Sequence, residues 1–194
     1  MLTRHGGVMG SLFLADDDSA HNAYLDRLLT PPWCLYRDGY QQAAFLLIEQ
    51  CKTFYDRNTL IYPIVFLFRH HIELCLKEFI VDGKGWDSKL MDSHNLKFFW
   101  KNCKDIIKEC HLPITTEELE IIENGVHDFD GIDPSSYVMR YPVNKRGVDS
   151  VADRENPIRI RELKSAMDEL VRCLEKLINL LAIDSDMRME FDQI

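Results

Sequence analysis

From Arg161 to Ile183 the apolar residues Leu163, Met167, Leu170, Leu174, Leu177 and Leu181 recur at alternating steps of four and three. That period gathers them on one side of an α-helix and on no face of a strand, so the segment must pack as a helix. At roughly two and a half heptads the seam is short for an independent coiled coil. Packing within a helical bundle is therefore expected, with a dimer contact as the alternative.

Helical spacing also governs the chain before it. After a turn at Pro31 and Pro32, the stretch Arg37–Tyr55 places Tyr40, Ala43 or Ala44, Leu47, Cys51 and Phe54 on one face. Asn58 or Thr59 is suited to cap a second helix, in whose first turn Pro63 is tolerated because its missing N–H would be unpaired there anyway. Val65, Phe68, Ile72, Cys75, Leu76 and Phe79 give that helix a broad apolar side, which marks it as central, and Asp82–Gly85 ends it. A third helix is expected over His94–Cys110, carrying Leu96, Phe99, Trp100, Cys103, Ile106 and Ile107. Thr115 followed by Glu118 is a capping box for a fourth helix with Leu119, Ile122 and Val126, shortened by Gly125. Tyr137–Tyr141 and Pro157–Ile160 flank a polar loop with Gly147 and are expected to pair as a small hairpin. The predicted fold is mainly α: an up-and-down helical bundle of four to five main helices with a small β-hairpin insertion, forming a single domain over 1–194 with its core at about 37–183.

Composition narrows the function. With 46% hydrophobic and 28% charged residues the chain resembles a globular protein, and at 194 residues it suits one domain. A net charge of -9 repels phosphate backbones at long range, which disfavours non-specific coating of nucleic acid. Acid is concentrated between Pro113 and Ser136, where Glu117, Glu118, Glu120, Glu123, Asp128, Asp130 and Asp133 occur without Lys or Arg. A solvated acidic helix is the expected explanation, and a partner-docking face the alternative. The six cysteines lack paired spacing and fall mostly on apolar stripes, as free thiols in a reducing compartment do. Val8–Ala15 is too short and too soon followed by Asp16, Asp17 and Asp18 for a signal core, and the apolar run Tyr62–Phe68 is broken by Arg69. A cytoplasmic protein with no membrane partner is expected.

The most informative local sequence is Phe66–Lys77. Arg69, Glu73 and Lys77 follow one another at i,i+4 spacing, with His70 and Tyr62 on the flank of the same face. Such groups must pair with each other, meet another segment, or open onto a cleft. The first outcome is an internal Arg69–Glu73 ion pair that fixes packing. In the last, Arg69 would hold a phosphate by its forked donors and His70 or His94 would act as acid or base near neutral pH. His94 could instead be a helix-start residue bonded to backbone, and Arg140 a salt-bridge donor to Asp130 or Asp133. Cys103, Cys110 and His111 match no zinc spacing, and His127, Asp128, Asp130 and Asp133 lack the glycine and terminal Glu of a calcium loop. There is no Gly-rich phosphate loop, Gly-x-Ser-x-Gly elbow or His-Glu-x-x-His pair, and no cofactor is expected.

Arg-His-x-x-Glu-Leu-x-Leu-Lys at Arg69–Lys77, Ser-His-Asn-Leu at Ser93–Leu96 and Met-Arg-Tyr-Pro at Met139–Pro142, in that order, resemble a branch of standalone bacterial proteins in the HEPN superfamily. The resemblance spans roughly Tyr40 to Ile183. It implies a helical core with a small insertion, commonly as a homodimer, and an RNA-directed effector in phage defence, toxin–antitoxin systems or RNA turnover. Arg69, His70, Glu73 and His94 would then be catalytic, in metal-independent ribonuclease chemistry, and Lys77, Arg140 and Tyr141 would bind ligand. The usual HEPN motif, an Arg followed four to six residues later by His, occurs nowhere in the chain. The alternative implied is a non-catalytic HEPN-like module for dimerisation, or for binding a partner protein or a nucleotide.

Overall fold

The computed structural model describes residues 33–151 and 157–191, together with Ala23. The chain divides into two units, Met1–Pro32 and Trp33–Ile194, and the fold concerns the second. The Val8–Ala15 segment lies outside the described residues.

The second unit is a mainly α helical bundle. Its elements are α1 (Trp33–Gln50), α2 (Phe54–Lys84), the single-turn α3 (Ser88–Met91), α4 (Leu96–Glu109), α5 (Thr116–Ile132) and α6 (Ile160–Phe191). The central helix, α2, packs against α1, α4, α5 and α6, and α6 also contacts α5 and α1. Phe68, Ile72, Leu76, Phe79 and Ile80 of α2 meet Phe99, Trp100 and Ile106 of α4 and Met167, Leu174 and Leu177 of α6 in one continuous core. Each fully buried aromatic or aliphatic side chain there contributes about 1.5–3 kcal/mol relative to exposure. The seam of α6 is buried from Met167 to Leu181 inside this unit, which is the intramolecular arrangement.

The element boundaries differ from the sequence reading in several places. α1 begins at Trp33 and ends at Gln50, so Cys51 lies beyond it and Phe54 opens the next helix instead of continuing the first apolar face, and α6 continues past Ile183 to Phe191. α2 begins at Phe54, not near Thr59, because Thr53 and Asp56 form a reciprocal capping box: Thr53 Oγ1 accepts from the Asp56 N–H at 3.1 Å and the Thr53 N–H donates to Asp56 Oδ2 at 2.8 Å. Pro63 thus lies inside the helix. α5 runs through Gly125 to Ile132, and the glycine serves close packing: a Cβ there would stand 2.5 Å from Leu170 Cδ2 of α6. The hairpin does not pair as expected. Residues 137–140 form a turn, and the single β-bridge among the described residues joins Val143 to Asp149. Asn144 organises that loop, accepting from the N–H groups of Arg146 and Val148 through its side chain, and Gly147 takes φ 74° within it.

By length and composition α2 is the one helix among the described residues that could cross a bilayer, although half of its most apolar window is buried against its neighbours.

Candidate functional site

The polar stripe of α2 does not open onto a cleft. Arg69 has no exposed surface and Glu73 is 1% exposed. The guanidinium is satisfied on three sides: Nη1 donates to Glu73 Oε2 at 2.8 Å, Nε to the Asp133 carbonyl at 2.7 Å and Nη2 to the His94 carbonyl at 2.5 Å. Lys77 Nζ donates to Glu73 Oε1 at 2.9 Å and to the Met91 carbonyl at 2.8 Å, while lying 5.1 Å from the Phe99 ring centroid. One carboxylate between two cations, with carbonyl dipoles taking the remaining donors, is how buried charge becomes tolerable. Burial pushes the Glu73 carboxyl up, but its bonds to Lys77, His94 and Arg69 outweigh this and hold it below its ordinary range.

This network ties together elements distant in sequence. Arg69 and Lys77 of α2 clasp the chain between α3 and α4 through Met91 and His94, and the end of α5 through Asp133. Asp133, fully buried, turns its carboxylate the other way. Oδ1 accepts from the Tyr137 and Val138 N–H groups at 2.7 and 3.0 Å, and Oδ2 from that of Met139 at 3.4 Å. It therefore carries the turn that presents Arg140 and Tyr141. Asp133→Ala strands these buried donors and is expected to cost about 2–3 kcal/mol in chemical unfolding, with loss of amide-exchange protection at 137–139.

Comparison of the chain with protein-family models, with curated proteins and with solved structures returned no match.

His94 is half-exposed. Its Nδ1 lies 2.8 Å from Glu73 Oε1 and, facing an ionised carboxylate that can only accept, carries the proton. The cap of α4 is the next residue, Asn95, whose Oδ1 accepts from the Phe98 N–H, so the helix-start role expected of the histidine belongs to its neighbour. His70 lies between two rings, edge-on to Tyr40 at 4.4 Å and stacked on Phe66 at 5.9 Å. Burial above all lowers its pKa, and the nearby Lys77, Arg69 and His94 add to that against the opposing pull of Glu73. It is a neutral ring at neutral pH.

Arg140 makes no salt bridge to Asp130 or Asp133. Asp130 pairs with Lys97 at 3.0 Å, and Asp133 is committed to backbone. The Arg140 Nε donates to the Ser136 carbonyl at 2.5 Å, and its guanidinium carbon lies 5.7 Å from the Phe66 ring and 5.8 Å from the Tyr141 ring. Tyr137 stacks on Tyr141 at 4.4 Å. The face beside the sealed network is thus aromatic, with Tyr40, Phe66, His70 and Tyr137 half-buried and Arg140 and Tyr141 exposed.

Of the residues singled out in the sequence, Arg69, Glu73 and Lys77 lie in the interior network, His94 spans its boundary, and His70, Arg140 and Tyr141 belong to the open face. Sequence reasoning missed Asp133 as the second anchor and Phe66 as the ring bridging His70 and Arg140. For Phe66 a signal existed, because Tyr62, Phe66 and His70 recur at i,i+4.

A second buried polar pair lies on the opposite side of α2. His71 is fully buried, with Nδ1 3.0 Å from the Arg37 carbonyl and Nε2 3.5 Å from Cys75 Sγ. The carbonyl requires a proton on Nδ1, leaving Nε2 to accept from the thiol. Burial raises the Cys75 pKa, so it is an unreactive thiol. Three of the seven acids in the acidic stretch are ion-paired, Glu118 with Lys176, Glu123 with Lys104 and Asp130 with Lys97, and Asp133 is committed to backbone.

Proposed function

We propose that the chain is a HEPN-like helical module that binds a nucleotide or a short RNA strand without cleaving it, acting in the prokaryotic cytoplasm as a homodimer. The observation that carries this reading is the enclosure of Arg69. An arginine with no exposed surface and three engaged donor groups cannot follow the charge that develops on a phosphate during cleavage. The conspicuous motif residues then act as a clasp, and binding falls to the face above them. Bases stack on exposed aromatic rings regardless of sequence, and a guanidinium held over such rings serves phosphate and base alike. The net charge of -9 favours a short ligand, since a long polyanion would meet repulsion beyond the site.

One observation favours the second reading, metal-independent cleavage. The Glu73–His94 pair orients the imidazole by Nδ1 and leaves the ring half-exposed, with Nε2 turned away from the carboxylate, the arrangement in which a carboxylate positions a histidine for proton transfer. It lacks a free cation beside it, since Arg69 and Lys77 are both committed.

Fluorescence anisotropy with a short labelled single-stranded RNA in chelator tests binding. Arg140→Ala and Tyr141→Ala are each expected to weaken affinity by about 5- to 100-fold while leaving the unfolding midpoint within error. Absence of binding, or binding indifferent to both substitutions, contradicts the proposal.

A further inference from the structure

Beside the arginine–aromatic face the turn after α5 and the Val143–Asp149 loop enclose a cavity of 380 Å³, lined by Tyr62, Val138, Met139, Arg140, Tyr141, Pro142, Asp149, Ser150 and Val151. That volume falls within the range of small-molecule sites, about 300–1,000 Å³. The lining is divided in character. Tyr62 and Tyr141, both partly exposed, offer ring surface, and Val138, Met139, Pro142 and Val151 supply an apolar bed.

The polar groups have unused capacity of opposite kinds. Arg140 spends only Nε on protein, leaving both Nη groups without a hydrogen-bond partner among the described residues. Asp149 uses Oδ1 to accept from the Val151 N–H at 2.8 Å, so Oδ2 remains an acceptor. Ser150 Oγ is hidden from solvent and has no hydrogen-bond partner among the described residues. A buried hydroxyl left unpaired costs stability, so one lining a cavity invites a ligand atom to satisfy it. The backbone around it is fixed: the Ser150 N–H donates to the Pro142 carbonyl at 2.9 Å, and the Asn144 N–H to the Val148 carbonyl at 2.8 Å.

We infer that this cavity binds a guanine nucleotide, its phosphate on Arg140 and its base against Tyr62 and Tyr141, with Asp149 and Ser150 reading the base edge. The inference rests on the proposed nucleotide-binding reading and names its site. The ligand is anionic at one end, because Arg140 is the one cation in the lining among the described residues. It must be planar in the middle to use the tyrosines, and rich in donors at the other end, because a carboxylate only accepts. Guanine presents two adjacent N–H donors on its pairing edge, where adenine presents an amino group beside an acceptor that the carboxylate repels.

Calorimetric titration of the full chain with GMP, AMP, UMP, CMP and inorganic phosphate tests this, run beside the RNA anisotropy measurement. GMP is expected to bind at least about tenfold more tightly than the other nucleotides or phosphate, with Asp149→Asn reducing that preference to less than about threefold. Arg140→Ala is expected to weaken GMP by about tenfold or more while leaving guanosine nearly unchanged. Equal binding of all four nucleotides, phosphate binding as well as GMP, or no saturation by about 1 mM GMP overturns the assignment. If RNA still binds in an Arg140-dependent manner in those cases, the guanine site alone falls; if RNA fails as well, the nucleotide-binding reading falls with it.

Discussion

Glu73→Ala is expected to lower the unfolding free energy by about 3–5 kcal/mol, a large share of the stability of an ordinary domain. The substitution leaves Arg69 and Lys77 in the interior without their common counter-charge, and the solvation those cations lost on folding is no longer offset. Urea unfolding of the two proteins measures it. Arg69→Met in the Glu73→Ala background should recover part of the loss, because removing the stranded cation removes much of the cost, and a double-mutant cycle should return a coupling of about 1–3 kcal/mol. A loss below about 1 kcal/mol, in the range of surface pairs, would mean that water reaches these groups and that the enclosure is not what holds α2 to the α3–α4 connection and the end of α5.

The second large effect is on pH. Burial brings the His71 pKa down to about 4, only partly opposed by its bond to the Arg37 carbonyl, whereas the unfolded chain titrates near its ordinary 6.5. Above pH 6.5 both states hold the ring neutral. As pH falls from 6.5 to 4 the unfolded state takes up a proton that the folded state refuses, so stability declines across that window, by up to about 3 kcal/mol. His70, also lowered, adds a loss of the same sign below 6.5. Glu73, held low, adds a loss that begins as pH falls through the ordinary carboxylate range. Glu78 and Asp82 act oppositely: burial holds their carboxyls high, so the folded state binds their protons first and gains stability as pH falls. The difference between wild type and His71→Gln isolates the His71 share. The variant's unfolding free energy is expected to fall less between pH 6.5 and 4.5, by about 2–3 kcal/mol. Parallel curves for the two proteins would show that the fold leaves the His71 pKa at its unfolded value, contradicting its burial as a neutral ring.

The helices were legible wherever burial is one-sided. Leu96, Phe99, Cys103 and Ile106 mark one face of α4, and Met167 to Leu181 one face of α6, because each of these helices has a single side against the core. The Thr115–Glu118 capping box was legible because it is purely local. The start of α2 was not: Asp56 is a less familiar third member of such a box than Glu, and Pro63 drew the expected start toward itself although the bundle accommodates it in the third turn. The stripe Arg69–Glu73–Lys77 announced itself, and an internal ion pair was one of its three expected outcomes. Which of them holds depends on Met91, His94 and Asp133, whose carbonyls reach Arg69 and Lys77 from segments 14 to 64 residues away, and a carbonyl leaves no trace in side-chain spacing. Asp133 read as one acid among seven for the same reason: its role is to hold backbone N–H groups. The cavity beside Arg140 depends on how the Val143–Asp149 loop folds back, which no periodicity encodes.

The most direct measurement is the fate of RNA held by the wild-type protein in chelator. The protein is incubated with the labelled single strand and a structured, tRNA-like RNA, beside Arg69→Ala, His70→Ala and His94→Ala variants verified as folded. Recovery of full-length RNA from the wild-type complex over many binding lifetimes is the predicted result. Cleavage by the wild type that disappears in the folded His94→Ala variant would contradict it, and would make the Glu73–His94 pair a catalytic base.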